Sequence, residues 1–352
     1  MLGMITYFIF IILKQEVTMA KKTLGTEKSR RNKTIDFALD STEGREYFAC
    51  CKSVGDIIEG VDVADAIFCG DCFEACEKMP RGFVDLLIVD PPYNLAKDYH
   101  GERFSAVSDE KYRAFTEKWL DAVLPLLKPD ASVYVCCDWR SGMVISQVLA
   151  ERLHLRERIT WQREKGRGAE KNWKNSMEDV WFATVSDDYK FDLDAVKLRR
   201  RVLAPYKADG APKDWVETED GKFRDTCPSN FWDDISVPYW SMPENTAHPT
   251  QKPEKLLAKL ILASSAEGDV ILDPFGGSMS TAVTAKKLGR RYVSVEKNPL
   301  YCAWGQKRLE LCESDKTIQG YVDGVFWERN TAAYLLSKHR KNEKTAKKTT
   351  KI

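Results

Sequence analysis

Two short segments combine residue types that can do chemistry. The first, Asp90-Pro91-Pro92-Tyr93, sets a carboxylate and an aromatic ring around two prolines. Consecutive prolines fix φ and remove two backbone N–H donors, so the loop is stiff and offers free carbonyl oxygens. Such a loop accepts hydrogen bonds and stacks, which suits a planar group bearing an exocyclic –NH2. Asp90 and a proline carbonyl can accept the two amine hydrogens while Tyr93 covers the π face. An amine polarised in this way can act as a nucleophile. An Asp-Pro-Pro turn also serves simply to end a strand, and the motif alone leaves both readings open. The second segment, Asp273-Pro274-Phe275-Gly276-Gly277-Ser278, carries paired glycines that let a backbone approach a ligand closely. Glu296 follows 23 positions after Asp273, about where an acidic residue accepts hydrogen bonds from ribose hydroxyls.

Both segments need rigid elements behind them, and the sequence supplies these. Short apolar runs rich in β-branched residues predict strands at 65–69, 84–89, 132–137, 158–161, 180–184, 270–272 and 292–295. Asp90 and Asp273 each directly follow one of these runs. Between the runs lie helical patterns: 109–127 after a Ser108 cap, with Tyr112, Phe115, Trp119, Leu120, Val123 and Leu127 on one face, then 254–264 and 278–288. Strands alternating with helices predict an α/β fold, Rossmann-like, with a mostly parallel seven-stranded sheet covered by helices on both faces. Ligands in such sheets sit outside the carboxyl ends of the strands, where both segments fall. From about 190 to 246 the pattern breaks into polar, Pro- and Trp-containing sequence, read as an inserted target-recognition region. A decorated surface subdomain is the other reading. Trp232 and Trp240 are taken as core supports.

Composition bounds the rest. The 352 residues are 43% hydrophobic and 30% charged, with 54 Lys plus Arg against 53 Asp plus Glu and a net charge of +1. Mean hydropathy is −0.42. These values exclude disordered, collagen-like and polytopic membrane classes, and any grip on a polyanion must come from local clusters. Ten cysteines, with adjacent pairs at 50–51 and 136–137, read as reduced intracellular thiols, hence a cytoplasmic protein. One CxxC at 69–72 without a second pair, and four scattered histidines, give no metal site. The apolar run at 1–13 is shorter than the ~20 residues of a spanning helix and reads as a start extension or a docked strand. Residues 1–34 form an N-terminal extension, 35–330 the main domain, and 331–352 a basic tail.

At this point the chain resembles the S-adenosylmethionine-dependent DNA amino-methyltransferases in which the catalytic motif precedes the cofactor motif, over about 60–312. Asp90-Pro91-Pro92-Tyr93 is similar to their catalytic loop and Asp273–Ser278 to their methionine-binding loop, with Glu296 as ribose ligand. Thr250 and Lys252, in His248-Pro249-Thr250-Gln251-Lys252-Pro253, resemble the segment at the cofactor's carboxylate end, and Asp71 the acidic position near its adenine. The resemblance implies methyl transfer to the N6 of an adenine flipped from double-stranded DNA, with Asp90 favouring adenine. It also implies a separately encoded restriction endonuclease as partner and no membrane, and it leaves room for a homodimer. Arg163, Lys165, Arg167, Lys171 and Lys174, with Arg199, Arg200 and Arg201, are the expected DNA-backbone contacts. Met279 and Ser280 stand where the family usually has glycine and threonine, and Met279 is expected to crowd the cofactor. The alternatives are a cytosine-N4 or RNA methyltransferase using the same site, and a DNA-binding protein with an impaired cofactor loop.

Overall fold

The fold is that of a computed structural model, which describes residues 32–99, 102–163, 171–202, 207–208 and 211–329. Its frame is one sheet of nine strands: β1 (Lys52–Ser53), β2 (Ala66–Cys69), β3 (Val84–Val89), β4 (Leu127–Cys137), β5 (His154–Gln162), β6 (Met177–Thr184), β7 (Phe231–Trp232), β8 (Val270–Asp273) and β9 (Arg291–Glu296). Their order across the sheet is β1-β2-β9-β8-β3-β4-β6-β5-β7. All neighbours are parallel except β6, which runs against both β4 and β5. The seven expected strands are all present, and the sheet gains β1 and β7 at its edges. Two residues are too few to show the period of two by which a strand is recognised.

Alternation along the strands splits the core between two faces. In β3 and β4, Leu87, Val89, Val133 and Val135 join one buried cluster, whereas Leu86, Ile88, Tyr134 and Cys136 join the other. Helices α2 (Cys72–Lys78), α3 (Asp109–Val123) and α4 (Trp139–Arg152) cover the first face. Helix α1 (Thr42–Ala49) and helices α5 (Glu254–Ser264), α6 (Ser280–Lys287) and α7 (Pro299–Ser314) cover the second. Capping sets where they begin. The Ser108 hydroxyl accepts from the Lys111 amide, Asp138 from Arg140 and Ser141, and Asn298 from Leu300 with Pro299 in the first turn.

The irregular stretch after residue 190 contributes to a second, five-stranded sheet in the order 216–218, 221–226, 198–201, 325–327, 321–322. Its last two strands come from beyond the expected insertion. Leu198 and Phe326 pack with Ala258 and Leu262 of α5. Residues 32–36 pair with 238–247 in a separate compact unit, through Lys33 N–H to the Trp240 carbonyl at 2.7 Å and Ile35 N–H to the Asn245 carbonyl at 2.9 Å. The first 31 residues and those from 330 on, the basic tail at 331–352 among them, lie outside the described residues. Trp232 is buried as expected, but Trp240 is 50% exposed because its segment belongs to this small unit. Among the described residues no helix is long and apolar enough to cross a membrane.

Candidate active site

Strands β3 and β8 are parallel neighbours, with Leu87 beside Leu272. Asp90 follows three residues after the first and Asp273 one residue after the second, so both segments emerge at the same sheet edge although 183 positions separate them. They share a cavity of about 300 Å³. Asp71, Asp90, Pro91, Pro92, Tyr93, Thr250, Lys252, Asp273, Phe275, Gly276, Gly277, Ser278 and Glu296 all line it.

On the glycine-loop side the backbone does most of the holding. Glu296, ending β9, accepts the Gly277 amide at 2.8 Å on one oxygen and the Asn298 amide at 2.7 Å on the other. Gly277 has φ +50°, and a Cβ there would lie 3.2 Å from His248 Nε2, so only glycine fits without strain. Beneath the loop, buried Arg308 donates to the Ser278 carbonyl at 2.6 Å, the Ser280 hydroxyl at 2.9 Å and Glu254 at 2.9 Å. Asp273 is wholly buried, and burial pushes its carboxyl up to about 7. Asp71 caps α2, its Oδ1 accepting the Phe73 amide at 2.9 Å. Phe275 packs edge-on against Trp119 of α3, with ring centroids 6.4 Å apart.

The expected crowding by Met279 is not found. Its φ of +60° places it in the left-handed region, and its side chain is buried with Ile67 and Ala282, behind Gly276 and not itself lining the cavity. A Cβ on Gly276 would meet its Sδ at 2.6 Å, and one on Gly305 would meet its Cγ at 2.1 Å. Met279 fills the space those two glycines leave.

On the Asp90 side the contacts are between side chains. The Tyr93 hydroxyl donates to Asp90 Oδ1 at 2.8 Å, and the Lys252 ammonium donates to Asp90 Oδ2 at 2.6 Å and to the Tyr93 oxygen at 3.1 Å. Burial alone would lower the Lys252 ammonium, but Asp90 and Glu178 outweigh it and hold it well above its usual value. Burial, reinforced by Asp90 and Glu178, raises the Tyr93 hydroxyl well above an ordinary tyrosine. Tyr93 is therefore a neutral donor. The loop is fixed from behind: the Tyr112 hydroxyl donates to the Pro92 carbonyl at 3.1 Å, and the Asn94 amide to the Ser141 hydroxyl at 3.0 Å.

The family model described as DNA methylase, of the N6/N4 type, matches residues 84–307, more than half of the chain. The chain belongs to the N6/N4 DNA methylase family. The methylase is 32% identical over 259 residues to the DNA adenine methyltransferase YhdJ of Escherichia coli (strain K12), spanning 70% of this chain and 83% of that protein. It is 30% identical over 247 residues to the type II methyltransferase M.HpaI of Haemophilus parainfluenzae, spanning 69% and 74%. Its fold is similar to that of the cytosine-N4-specific PvuII DNA methyltransferase, with a TM-score of 0.53 at 18% identity over 71% of this chain and 90% of that one.

The sequence missed one member of the charged cluster around Asp90. Glu178, buried on β6, stands 3.4 Å from Lys252 through Oε2 and is paired with Arg163 through Oε1. The available signal was the acidic pair Glu178-Asp179 at one end of an otherwise apolar strand. Lys252, expected at the cofactor's carboxylate end, has its ammonium on Asp90.

The expected DNA contacts are not one patch in the methylase. Arg163 turns inward to Glu178. Lys171 and Lys174 are exposed, and Lys165 and Arg167 lie outside the described residues. The arginine triplet stands on the small sheet. There Arg199 makes two 2.7 Å bonds to Asp225, Arg200 lies 3.7 Å from Glu328, and Arg201 is exposed. Local acids thus compensate two of its three charges.

Proposed function

We propose that this DNA methyltransferase moves a methyl group from S-adenosylmethionine to the exocyclic N6 of an adenine flipped out of duplex DNA. The observation that carries the reading is the single cavity shared by Asp90, Tyr93, the Gly276–Gly277 loop and Glu296. The residues fit such a cofactor. Gly277 keeps open a cradle that a Cβ would press against His248, Glu296 presents an acidic side chain to the same cavity for ribose hydroxyls, and the buried Asp273 carboxylate suits an α-ammonium. When bound, S-adenosylmethionine supplies an electrophilic methyl on positively charged sulfur.

The chain's own residues would do the rest. Asp90 and the Pro91 or Pro92 carbonyl accept the two amine hydrogens, raising electron density on the nitrogen, and Tyr93 stacks on the base. As the nitrogen gains its methyl it must lose a proton, and Asp90 is placed to accept it. Holding the amine in line with the methyl is the principal contribution. Adenine is favoured by Asp at the first motif position and by the likeness to YhdJ, which is named a DNA adenine methyltransferase. The likeness to the type II enzyme M.HpaI supports a separately encoded restriction endonuclease as partner. Ten free thiols suit a reducing, cytoplasmic setting. Target recognition falls to the small sheet and its loops, with Lys171, Lys174 and Arg201 following phosphates.

The test is transfer from labelled S-adenosylmethionine to unmethylated mixed-sequence duplex DNA, followed by nucleoside analysis. Label in N6-methyladenine, lost with Asp90→Ala, supports the reading. Label in N4-methylcytosine reassigns the amine, and no transfer by folded protein sinks the proposal.

A further inference from the structure

Both carboxylate oxygens of Asp90 are engaged, Oδ1 by Tyr93 at 2.8 Å and Oδ2 by Lys252 at 2.6 Å. An arriving amine must share Asp90 with both of them, and the ammonium neutralises the carboxylate that is to polarise it. Tyr93 must also turn its ring to the base, yet its oxygen is tied to the same ammonium at 3.1 Å. The ammonium has somewhere to go. Glu178 Oε2 is buried, accepts no hydrogen bond among the described residues, and lies 3.4 Å from Lys252 Nζ. Its sister oxygen is fixed by the Arg163 guanidinium, so the carboxylate cannot turn to find another donor. A buried acceptor left unpaired costs on the order of 1–3 kcal/mol, and natural proteins keep few of them. Lys252 is thus bracketed by two carboxylates, one bonded through both oxygens and one with an oxygen held open.

Resting on the amine-methylation reading above, we propose that Lys252 is a positioning residue that shuttles between Asp90 and Glu178. Without a base it neutralises Asp90 and holds Tyr93 down. On base entry its side chain swings onto Glu178 to charge-assisted distance and out of hydrogen-bond reach of Asp90, releasing one Asp90 oxygen and the Tyr93 hydroxyl together. The ammonium never leaves a carboxylate, so the move avoids the cost of an unpaired buried charge. Lys252 touches neither the methyl group nor the amine nitrogen. It acts through Asp90 and Tyr93.

A double-mutant cycle tests this. Glu178→Gln keeps an acceptor for Arg163 but removes the pull on the ammonium. The expected result is a fall of tenfold or more in kcat/KM for unmethylated duplex DNA, with the S-adenosylmethionine Kd by calorimetry changed less than twofold. In a Lys252→Met background the same Glu178→Gln change is expected to cost less than twofold, because no ammonium remains to be drawn. An equal cost in both backgrounds overturns the shuttle. So does a Lys252→Met protein whose only defect is weak cofactor binding. A second measurement does not depend on turnover: in a crystal structure of Asp90→Asn, Lys252 Nζ is expected within hydrogen-bond distance of Glu178, and an ammonium still resting on residue 90 refutes the proposal. Wild-type protein that methylates no DNA while Lys252 moves in that crystal faults the functional reading and leaves the shuttle standing.

Discussion

On one side of the cavity Glu296 is gripped by two backbone amides, Gly277 at 2.8 Å and Asn298 at 2.7 Å; on the other Asp90 is gripped by two side chains, Tyr93 at 2.8 Å and Lys252 at 2.6 Å. Backbone amides at the start of a helix do not rearrange without unfolding a turn, whereas side-chain partners exchange by rotamer changes. On the proposed function, the cofactor side is therefore built in advance and the base side is built to open. A ligand common to every turnover suits the first design. A base that must leave the duplex and be admitted one at a time suits the second.

The sharpest way to break this comparison is to disable one side and measure the other. Asp90→Ala is expected to slow methyl transfer by about 10²- to 10⁴-fold, the usual range for a lost acid–base group. Its cofactor Kd should stay within twofold by calorimetry; a Kd that moves with the rate means that the two sides are not separable. Gly277→Ala strikes the preformed side. A left-handed backbone costs a residue with a Cβ roughly 1–2 kcal/mol, so cofactor affinity is expected to fall about tenfold while kcat at saturation is retained.

Asp273 sharpens the comparison through pH. Burial raises its carboxyl from an ordinary 3.8 to about 7, so between these values the folded state holds a proton that the unfolded state has lost. Its contribution to stability is present below pH 3.8, declines as pH rises to about 7, and is flat above. Urea unfolding across that window should show a shallower decline in Asp273→Asn. Tyr93→Phe is expected to be mildest. It keeps the stacking ring and loses only a hydroxyl that is to be released from Asp90 before transfer, and kcat should change less than about threefold.

The two chemical loops were legible because each follows an apolar strand, and strand ends are where such sheets place ligands. Their meeting in one cavity was implied by the resemblance, but its physical cause, the pairing of β3 with β8, is a long-range contact that no local pattern encodes. Glu178 was hidden for the same reason, since its nearness to Lys252 depends on where β6 lies in the sheet. The crowding expected of Met279 failed because side-chain direction follows φ, and a left-handed residue points where an extended one would not. The small sheet escaped notice because four of its five strands, of two to four residues, have too little period, and because two of them lie 75 or more residues beyond the irregular stretch.

The strand at 325–327 lies between 198–201 and 321–322 in that small sheet, pairing Phe326 with Leu198 and Trp327 with Arg199. This placement sets an order of assembly on the ribosome. Chains are made at roughly 5–20 residues per second and fold domain by domain. The strands and helices of the large sheet are all synthesised by residue 314, yet the small sheet lacks a central strand until residue 327 has emerged. A nascent or prematurely terminated chain could thus complete the large sheet while its second sheet stayed open. If the small sheet reads DNA, a chain cut short would carry the catalytic cavity without the means to choose where to use it.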